Sequence, residues 1–208
     1  MEEPLPAGGS CLLGSINLAE FVTEHKTFNF IEFRKAVAAA VKGLNDVLDE
    51  GMPLHPLQEQ RDSVKDWRQI GLGIMSLADC FIKMEVKYGS PDAVRLSDMI
   101  GQAMADEAIK TSALLAKEYG SYPMYHADAV LRSEYFNYNA LGKTKELVRR
   151  YGLRNSQLLT TAPTGTISSM LGISGGIEPI FANSYTRKTE SLHGRDEYYK
   201  IYTPIVQQ

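Results

Sequence analysis

The chain has 208 residues, 44% hydrophobic and 23% charged, which is ordinary for a globular protein and long enough for one sizeable core. Because 22 Lys and Arg residues are mixed with 25 Asp and Glu residues, the net charge of -3 predicts no nucleic-acid partner, and no apolar run approaches the roughly 20 residues of a membrane helix. Two cysteines make no disulfide framework, four distant histidines lack metal-site spacing, and the first residues do not resemble a signal peptide, so we expect a cytoplasmic protein without a metal site or a membrane partner.

The first third of the chain predicts one strand and one long helix. Prolines and glycines make the segment before Leu18 irregular, although residues 11–18 read as a buried strand or as a strand that turns into a helix. Residues 30–50 repeat apolar side chains at spacings of three and four behind the capping residue Asn29, which predicts a helix. Residues 58–65 are polar and form either a loop or a short solvated helix.

The middle of the chain predicts further helices. The sequence Gly71-Leu72-Gly73 lacks the third glycine of a dinucleotide fingerprint, and the residues before it do not read as a strand, so we reject a dinucleotide site there. A helix follows it and ends near Met84. Ser90 as cap and Gly120 after the last turn predict a long helix over residues 91–119, and a shorter helix is predicted over residues 143–151.

The last quarter changes character and contains the best candidate for binding chemistry. Residues 157–161 read as a short strand, residues 162–169 as a turn into a helix that begins near Ile167, and residues 177–187 as an extended segment. Hydroxyl side chains, a flexible glycine and a helix N-terminus suit a phosphate. The alternative is a turn that merely caps a helix, since the segment contains no GK[ST].

The other reactive side chains have plain interpretations when each is taken by itself. The carboxylate of Glu2 lies near the chain start, where such groups are usually solvated. Cys11 lies in an apolar stretch, and a buried inert thiol is the default for such a residue. Cys80 lies inside a predicted helix and is expected to be structural. The predicted strands are too few to close a sheet, which suits a piece of an α/β barrel.

Four stretches, taken in order, resemble the large subunit of ribonucleotide reductases. They are Glu2-Glu3-Pro4-Leu5 with residues 9–18; Arg68-Gln69-Ile70-Gly71-Leu72-Gly73; Arg154-Asn155 with residues 161–168; and Gly175-Gly176-Ile177-Glu178-Pro179-Ile180-Phe181-Ala182. Each stretch alone is weak, but together they cover nearly the whole chain. The resemblance implies a helix-rich α/β fragment of the family's ten-stranded catalytic barrel, extending over residues 1–208 and truncated at both ends.

The resemblance also implies the family's reaction and its site residues. Ribonucleotides are reduced to deoxyribonucleotides for DNA synthesis and replication by a cysteine thiyl radical that removes the 3′-hydrogen of the ribose. By position, Glu2 matches the glutamate that acts on the 3′-hydroxyl, and Cys11 matches one member of the reducing cysteine pair. The substrate phosphates are expected at a phosphate loop, defined here as Pro163, Thr164, Gly165, Thr166 and Ile167.

The same resemblance indicates what the chain lacks. The radical cysteine and the partner of Cys11 are expected upstream of residue 1, so we interpret Met1 as the start of an excised piece and expect no reductase activity from the chain alone. A partial barrel exposes a face that is normally buried, which predicts self-association. A helix-rich binding or scaffold module that has lost catalysis is the alternative, and it predicts that Glu2 and Cys11 face away from the phosphate loop.

The expected cofactor and partners follow from the family. The spacing of Glu2 and Cys11 and the sequence of the phosphate loop resemble most closely the adenosylcobalamin-dependent branch of the family. The alternative is a radical supplied by a separate metal-containing small subunit. The expected partners are a ribonucleoside di- or triphosphate, a thioredoxin-like or dithiol reductant, and further copies of the full-length protein.

Overall fold

The computed structural model describes residue 2, residues 4–190, residue 194 and residues 196–207, with side chains omitted at 189 and 190. Met1 and Glu3, which contributed to the sequence interpretation, lie outside the described residues. The helices are α1 (Phe30–Gly51), α2 (Gln58–Trp67), α3 (Leu77–Lys83), α4 (Pro91–Tyr119), α5 (Ala127–Arg132), α6 (Glu134–Asn139), α7 (Gly142–Tyr151), α8 (Gly165–Leu171) and α9 (Pro204–Gln207). The strands are β1 (Leu13–Asn17), β2 (Gly71–Met75), β3 (Ser184–Glu190) and β4 (Asp196–Tyr202), and single 3-10 turns occupy Leu18–Phe21 and Met52–Leu54.

Helices α1 and α4 form the main helical layer, as their sequences predicted. The side chain of Asn29 accepts a hydrogen bond from the backbone N–H of Glu32, and Ser90 caps α4 in the same way through Ala93. The apolar stripe of α1 is buried at Phe33, Val37, Val41, Leu44 and Leu48. Small side chains line the buried face of α4, at Ala93, Ala103, Ala105, Ala108, Ala113 and Ala116, and allow its neighbours to pack closely.

A parallel layer lies beside these helices. Strands β1 and β2 pair in parallel, from Leu13 with Gly71 to Asn17 with Met75. Residues 157–160 extend the layer on the far side of β2, where Leu72 donates its N–H to Leu158 O at 2.8 Å and its carbonyl accepts from Thr160 N at 3.0 Å. This segment makes one bridge with β2 and no regular strand, so the strand predicted over residues 157–161 is realised only as an extended, partly paired segment.

Residues 71–75 form β2, a strand that was not predicted from the sequence. Glycine disfavours strands in isolation, so its presence at positions 71 and 73 hid the strand from sequence reasoning. A Cβ on Gly73 would lie 2.4 Å from the carbonyl oxygen of Thr160, and one on Gly71 would lie 2.7 Å from side-chain carbons of both Leu13 and Thr160. The glycines are needed because the neighbouring segments approach β2 too closely for any side chain.

Other differences from the sequence predictions are smaller. Helices α5 and α6 were not predicted, and α8 begins two residues before the predicted Ile167. Of the two alternatives for residues 58–65, the helix is the one observed, as α2. In the predicted extended segment 177–187, regular pairing begins at Ser184, where β3 pairs with β4 as an antiparallel hairpin.

A buried polar network ties the helical layer to the parallel layer. Asn155 is fully buried and donates its amide to Asn45 Oδ1 and to Arg68 O, both at 2.9 Å. Its amide oxygen accepts from Ser112 Oγ at 3.0 Å and from Asn45 Nδ2 at 3.2 Å. Arg68 in turn contacts both carboxylate oxygens of Asp49, at 2.6 and 2.9 Å. One side chain therefore joins α1, α4, the end of α2 and the segment that leads to residues 157–160.

We expect Asn155→Ala to lower the free energy of unfolding by about 2–4 kcal/mol, because several buried partners lose their hydrogen bonds at once. Urea denaturation measures the difference. Gln102→Ala, at an exposed position of α4, is the control and should change the stability by less than about 0.5 kcal/mol. Equal stabilities for the two variants would show that the network does not stabilise the fold.

Gly73→Ala is expected to lower the free energy of unfolding by about 1–3 kcal/mol, because the added methyl group meets the Thr160 carbonyl. Gly101→Ala is the matched control, since a Cβ there meets nothing within 4 Å and the residue lies in the helix α4. The control should gain about 0.5–1 kcal/mol through helix propensity. Thermal unfolding followed by circular dichroism compares the two, and a stable Gly73→Ala protein would contradict the close approach.

Candidate functional site

The parallel layer has two faces with different surroundings. A Cβ on Gly14 would lie 3.5 Å from Leu44 of α1, so this face packs on the helices. Side chains alternate along a strand, and therefore Leu13 and Ser15 point to the opposite face. A Cβ on Gly71 or Gly73 would point to that same face. Leu13 is 48% exposed there, although it is a large apolar residue. The face away from the helices is therefore exposed at Leu13, whereas Gly71 and Gly73 on the same face are buried beneath Thr160.

Glu2 and Cys11 lie together at the amino-terminal end of this layer. Both are exposed, and both line a small cavity of about 30 Å³ whose wall includes Gln69, Gln157 and Thr160. The chain segment that carries Glu2 is held there because Gln157 donates its amide to Pro4 O at 2.7 Å. The structure thus brings together the two residues that the sequence assigned to catalysis.

The phosphate loop lies beyond the carboxyl end of residues 157–160 and includes the first residues of the helix α8. Thr164 has a left-handed backbone, with φ 54°, and its carbonyl accepts the first helical hydrogen bond from Ser168 N at 2.9 Å. The N–H groups of Gly165, Thr166 and Ile167 consequently have no acceptor within the helix. Thr166 and Ile167 are exposed, so these donors face the surface and suit an anion.

A second glycine-rich segment supports the phosphate loop from behind. The N–H of Gly176 donates to Thr164 Oγ1 at 2.8 Å, and a Cβ on Gly175 would lie 3.0 Å from Pro163 O. The buried carboxylate of Asp79 accepts from Ser174 N at 2.8 Å, which anchors this segment to α3. The left-handed conformation of Thr164 is therefore held by contacts outside the loop itself.

A cavity of about 440 Å³ lies beside the phosphate loop, which is the size of a small-molecule site. Its lining includes Pro163, Gly165, Ser168, Ser174, Glu178 and residues of the β3–β4 hairpin. Thr160 lines the small cavity near Cys11, whereas Pro163, three residues later, lines this one. Glu2 and Cys11 accordingly lie in one cavity and the phosphate loop borders another.

Several residues of the quoted motifs are structural rather than part of either cavity beside the parallel layer. Asn155 and Arg68 belong to the buried network, and Arg154 donates to the carbonyl oxygens of Tyr119 and Gly120, both at 3.2 Å, at the end of α4. Burial lowers the pKa of the Arg154 guanidinium from its usual value. Cys80 is fully buried, as predicted, and burial raises the pKa of its thiol to about 12, so it stays protonated near neutral pH.

Sequence reasoning missed the contributions of Gln69, Asp79 and Ser174. Gln69 lies inside a motif that was quoted for its resemblance, but nothing in a single glutamine indicates that it lines a cavity. Asp79 and Ser174 are 95 residues apart, and only folding brings them into contact. The quoted glycine pair Gly175-Gly176 was the one available signal for the segment behind the phosphate loop.

The described residues contain no cluster of three or more His, Cys, Asp or Glu side chains that could hold a metal ion. Within the same part of the chain, no helix combines the length and the apolar character needed to cross a membrane. The cavity beside the phosphate loop is the size of a small ligand, so the described residues do not by themselves fit a group as large as adenosylcobalamin.

Comparison with known proteins identifies relatives over nearly the whole chain. A vitamin B12-dependent ribonucleoside-diphosphate reductase of Thermoplasma acidophilum is 37% identical over 195 residues, covering 94% of this chain and 23% of the relative. The ribonucleoside-diphosphate reductase large subunit of Danio rerio is 34% identical over 87% of this chain and 24% of its own length. The subunit alpha of the Chlamydia pneumoniae enzyme is 30% identical over 87% of this chain and 19% of its own length.

The chain thus spans about a fifth to a quarter of the length of these relatives. The family model described as the ribonucleotide reductase barrel domain matches residues 1–205. Together with the mixed helix and strand content, this match shows that the chain belongs to the ribonucleotide reductase large-subunit barrel-domain family.

Proposed function

We propose that the chain is the part of a ribonucleotide reductase catalytic barrel that binds the substrate phosphates and supplies one of the reducing cysteines. The observation that carries this proposal is the phosphate loop, in which Pro163 and Gly165 line the cavity and the first N–H groups of α8 have no acceptor within that helix. The proposed substrate is a ribonucleoside diphosphate, since the three relatives described above are named as diphosphate reductases. The cytoplasm is the proposed location.

The proposed reaction divides its work between this chain and the rest of a ten-stranded barrel. The phosphate loop orients the nucleotide, Glu2 acts on the 3′-hydroxyl, and the thiol of Cys11 and a partner cysteine supply two electrons as they become a disulfide. A thioredoxin-like or dithiol reductant then restores both thiols. The radical cysteine is not among the residues of this chain, so the ribose hydrogen is not abstracted by the chain alone.

Adenosylcobalamin is the proposed source of the radical, and one relative is named as vitamin B12-dependent. The other two relatives carry no such designation and are named as subunits, which supports the alternative of a radical from a separate metal-containing subunit. Assembly of the full-length protein into a homo-oligomer is also proposed.

We expect the chain to bind a ribonucleoside diphosphate, and we expect Thr166→Glu to weaken the binding by about tenfold or more. A carboxylate in the first turn of α8 favours the helix but repels the substrate phosphates. Isothermal titration calorimetry measures the dissociation constants. Gln102→Glu adds the same charge on α4, away from the cavity, and should leave the affinity unchanged. Equal affinities for both variants would exclude the loop as the phosphate site.

The alternative is a scaffold module, and the separation of the two cavities favours it. If the chain is part of a catalytic site, a bound nucleotide should shield Cys11 from alkylation by iodoacetamide. In a scaffold module, binding at the phosphate loop would leave the alkylation rate of Cys11 unchanged. Peptide mass spectrometry after timed alkylation separates the two functions.

A further inference from the structure

Gln69 is a buried polar side chain whose amide group makes no hydrogen bond to any residue that the structure describes. It is 2% exposed, and neither Nε2 nor Oε1 has a hydrogen-bonding partner among the residues that the structure describes. Leaving a buried donor and a buried acceptor unmatched is costly, and such groups are rare in folded proteins. Packing alone does not explain a glutamine here, because an apolar side chain of the same shape would avoid this cost.

Gln69 and Cys11 share two cavities. Both residues line the 30 Å³ cavity that also contains Glu2, and both line a second cavity of about 140 Å³ between the amino-terminal segment and α1. A Cβ on Gly9 would lie 3.2 Å from Gln69 Nε2, so the backbone leading to Cys11 passes directly over the amide. The smaller cavity exceeds the roughly 10–15 Å³ that one water molecule needs.

Gln157 contributes a second unmatched group to the same cavity. Its Nε2 is used by Pro4 O, but its Oε1 is buried and has no hydrogen-bonding partner within the described part of the chain. The two glutamines therefore contribute the amide N–H donors of Gln69 and one carbonyl acceptor each. A hydroxyl group accepts from such donors and also donates, whereas an anion would face two carbonyl oxygens.

We infer that Gln69 and Gln157 form a hydroxyl-binding subsite beside Cys11. The hydroxyl belongs either to a bound water molecule or to a ligand that reaches the exposed Cys11. In both cases its oxygen accepts a hydrogen bond from the amide N–H of Gln69, and one O–H proton is donated to the sulfur of Cys11, which increases the reactivity of the thiol. The second proton of a water molecule is donated to a glutamine oxygen. The identification of a ligand hydroxyl with that of a nucleotide sugar rests on the proposed function, but the water-bound form of the subsite does not.

Alkylation of Cys11 by iodoacetamide in the 208-residue chain tests the inference. Gln69→Met keeps the length and approximate volume of the side chain and removes both polar atoms. We expect it to slow the alkylation of Cys11 by about threefold to tenfold, the net weight of one hydrogen bond. Cys80 does not interfere, because its buried thiol has a pKa of about 12 and peptide mapping separates the two cysteines.

Ser63→Ala is the matched control. Ser63 Oγ is another buried polar atom with no hydrogen-bonding partner among the described residues, and Ser63 lines neither of the cavities that contain Gln69. This variant should leave the alkylation rate of Cys11 unchanged. Gln69→Leu serves as a second apolar variant, and circular dichroism verifies that each protein is folded.

Two arms identify the source of the hydroxyl. If it is water, Gln69→Met slows alkylation in the absence of any nucleotide. If it belongs to a ligand, the rate changes only when a ribonucleoside diphosphate is present, and the nucleotide shields Cys11 less in Gln69→Met than in the original chain. Failure of the nucleotide to bind at all would count against the proposed function while leaving the first arm intact.

A different result overturns the inference. If Gln69→Met melts at a higher temperature than the original chain and shows the same alkylation rate with and without nucleotide, the glutamine is only an unmatched polar group whose removal stabilises the fold. Equal slowing in Ser63→Ala would also overturn it, because the effect would then not be specific to the cavity.

Discussion

The buried hydrogen bonds of Asn155 set the relative position of the two layers, and both candidate cavities depend on that position. Asn155 lies two residues before Gln157, and Arg68, whose carbonyl it binds, lies one residue before Gln69. The two glutamines that line the Cys11 cavity are therefore placed by the same network that joins α1 to α4. Buried polar networks of this kind specify one arrangement, because any shift leaves several groups unmatched.

The candidate site residues lie at two opposite ends of the parallel layer. Cys11 and Glu2 lie where β1 begins, and the phosphate loop follows the point where residues 157–160 end. Such a layer spans about 3.3 Å per residue, so a five-residue strand holds its ends roughly 15 Å apart. Between these ends, Thr160 packs directly against Gly71 and Gly73 and fills the space that their side chains would occupy.

The C-terminal part of the chain exposes large apolar side chains. Met170 is 77% exposed and Phe181 is 81% exposed, and tyrosines of β4 are similarly uncovered. Single exposed apolar residues are common, but several on neighbouring elements mark a surface that normally meets another part of a protein.

Sequence alone determined the features that depend on neighbouring residues. The bounds of α1 and α4 followed from apolar spacing, from the caps Asn29 and Ser90 and from Gly120, because helix signals are local. The order of the motifs indicated the family, and the sequence of residues 163–167 indicated the phosphate loop. Tertiary structure alone decided that residues 71–75 form a strand, because its glycines are favoured only by contact with Leu13 and Thr160. It also decided that Gln69, Gln157 and Cys11 line one cavity, since these residues meet only when segments far apart in the chain pack together.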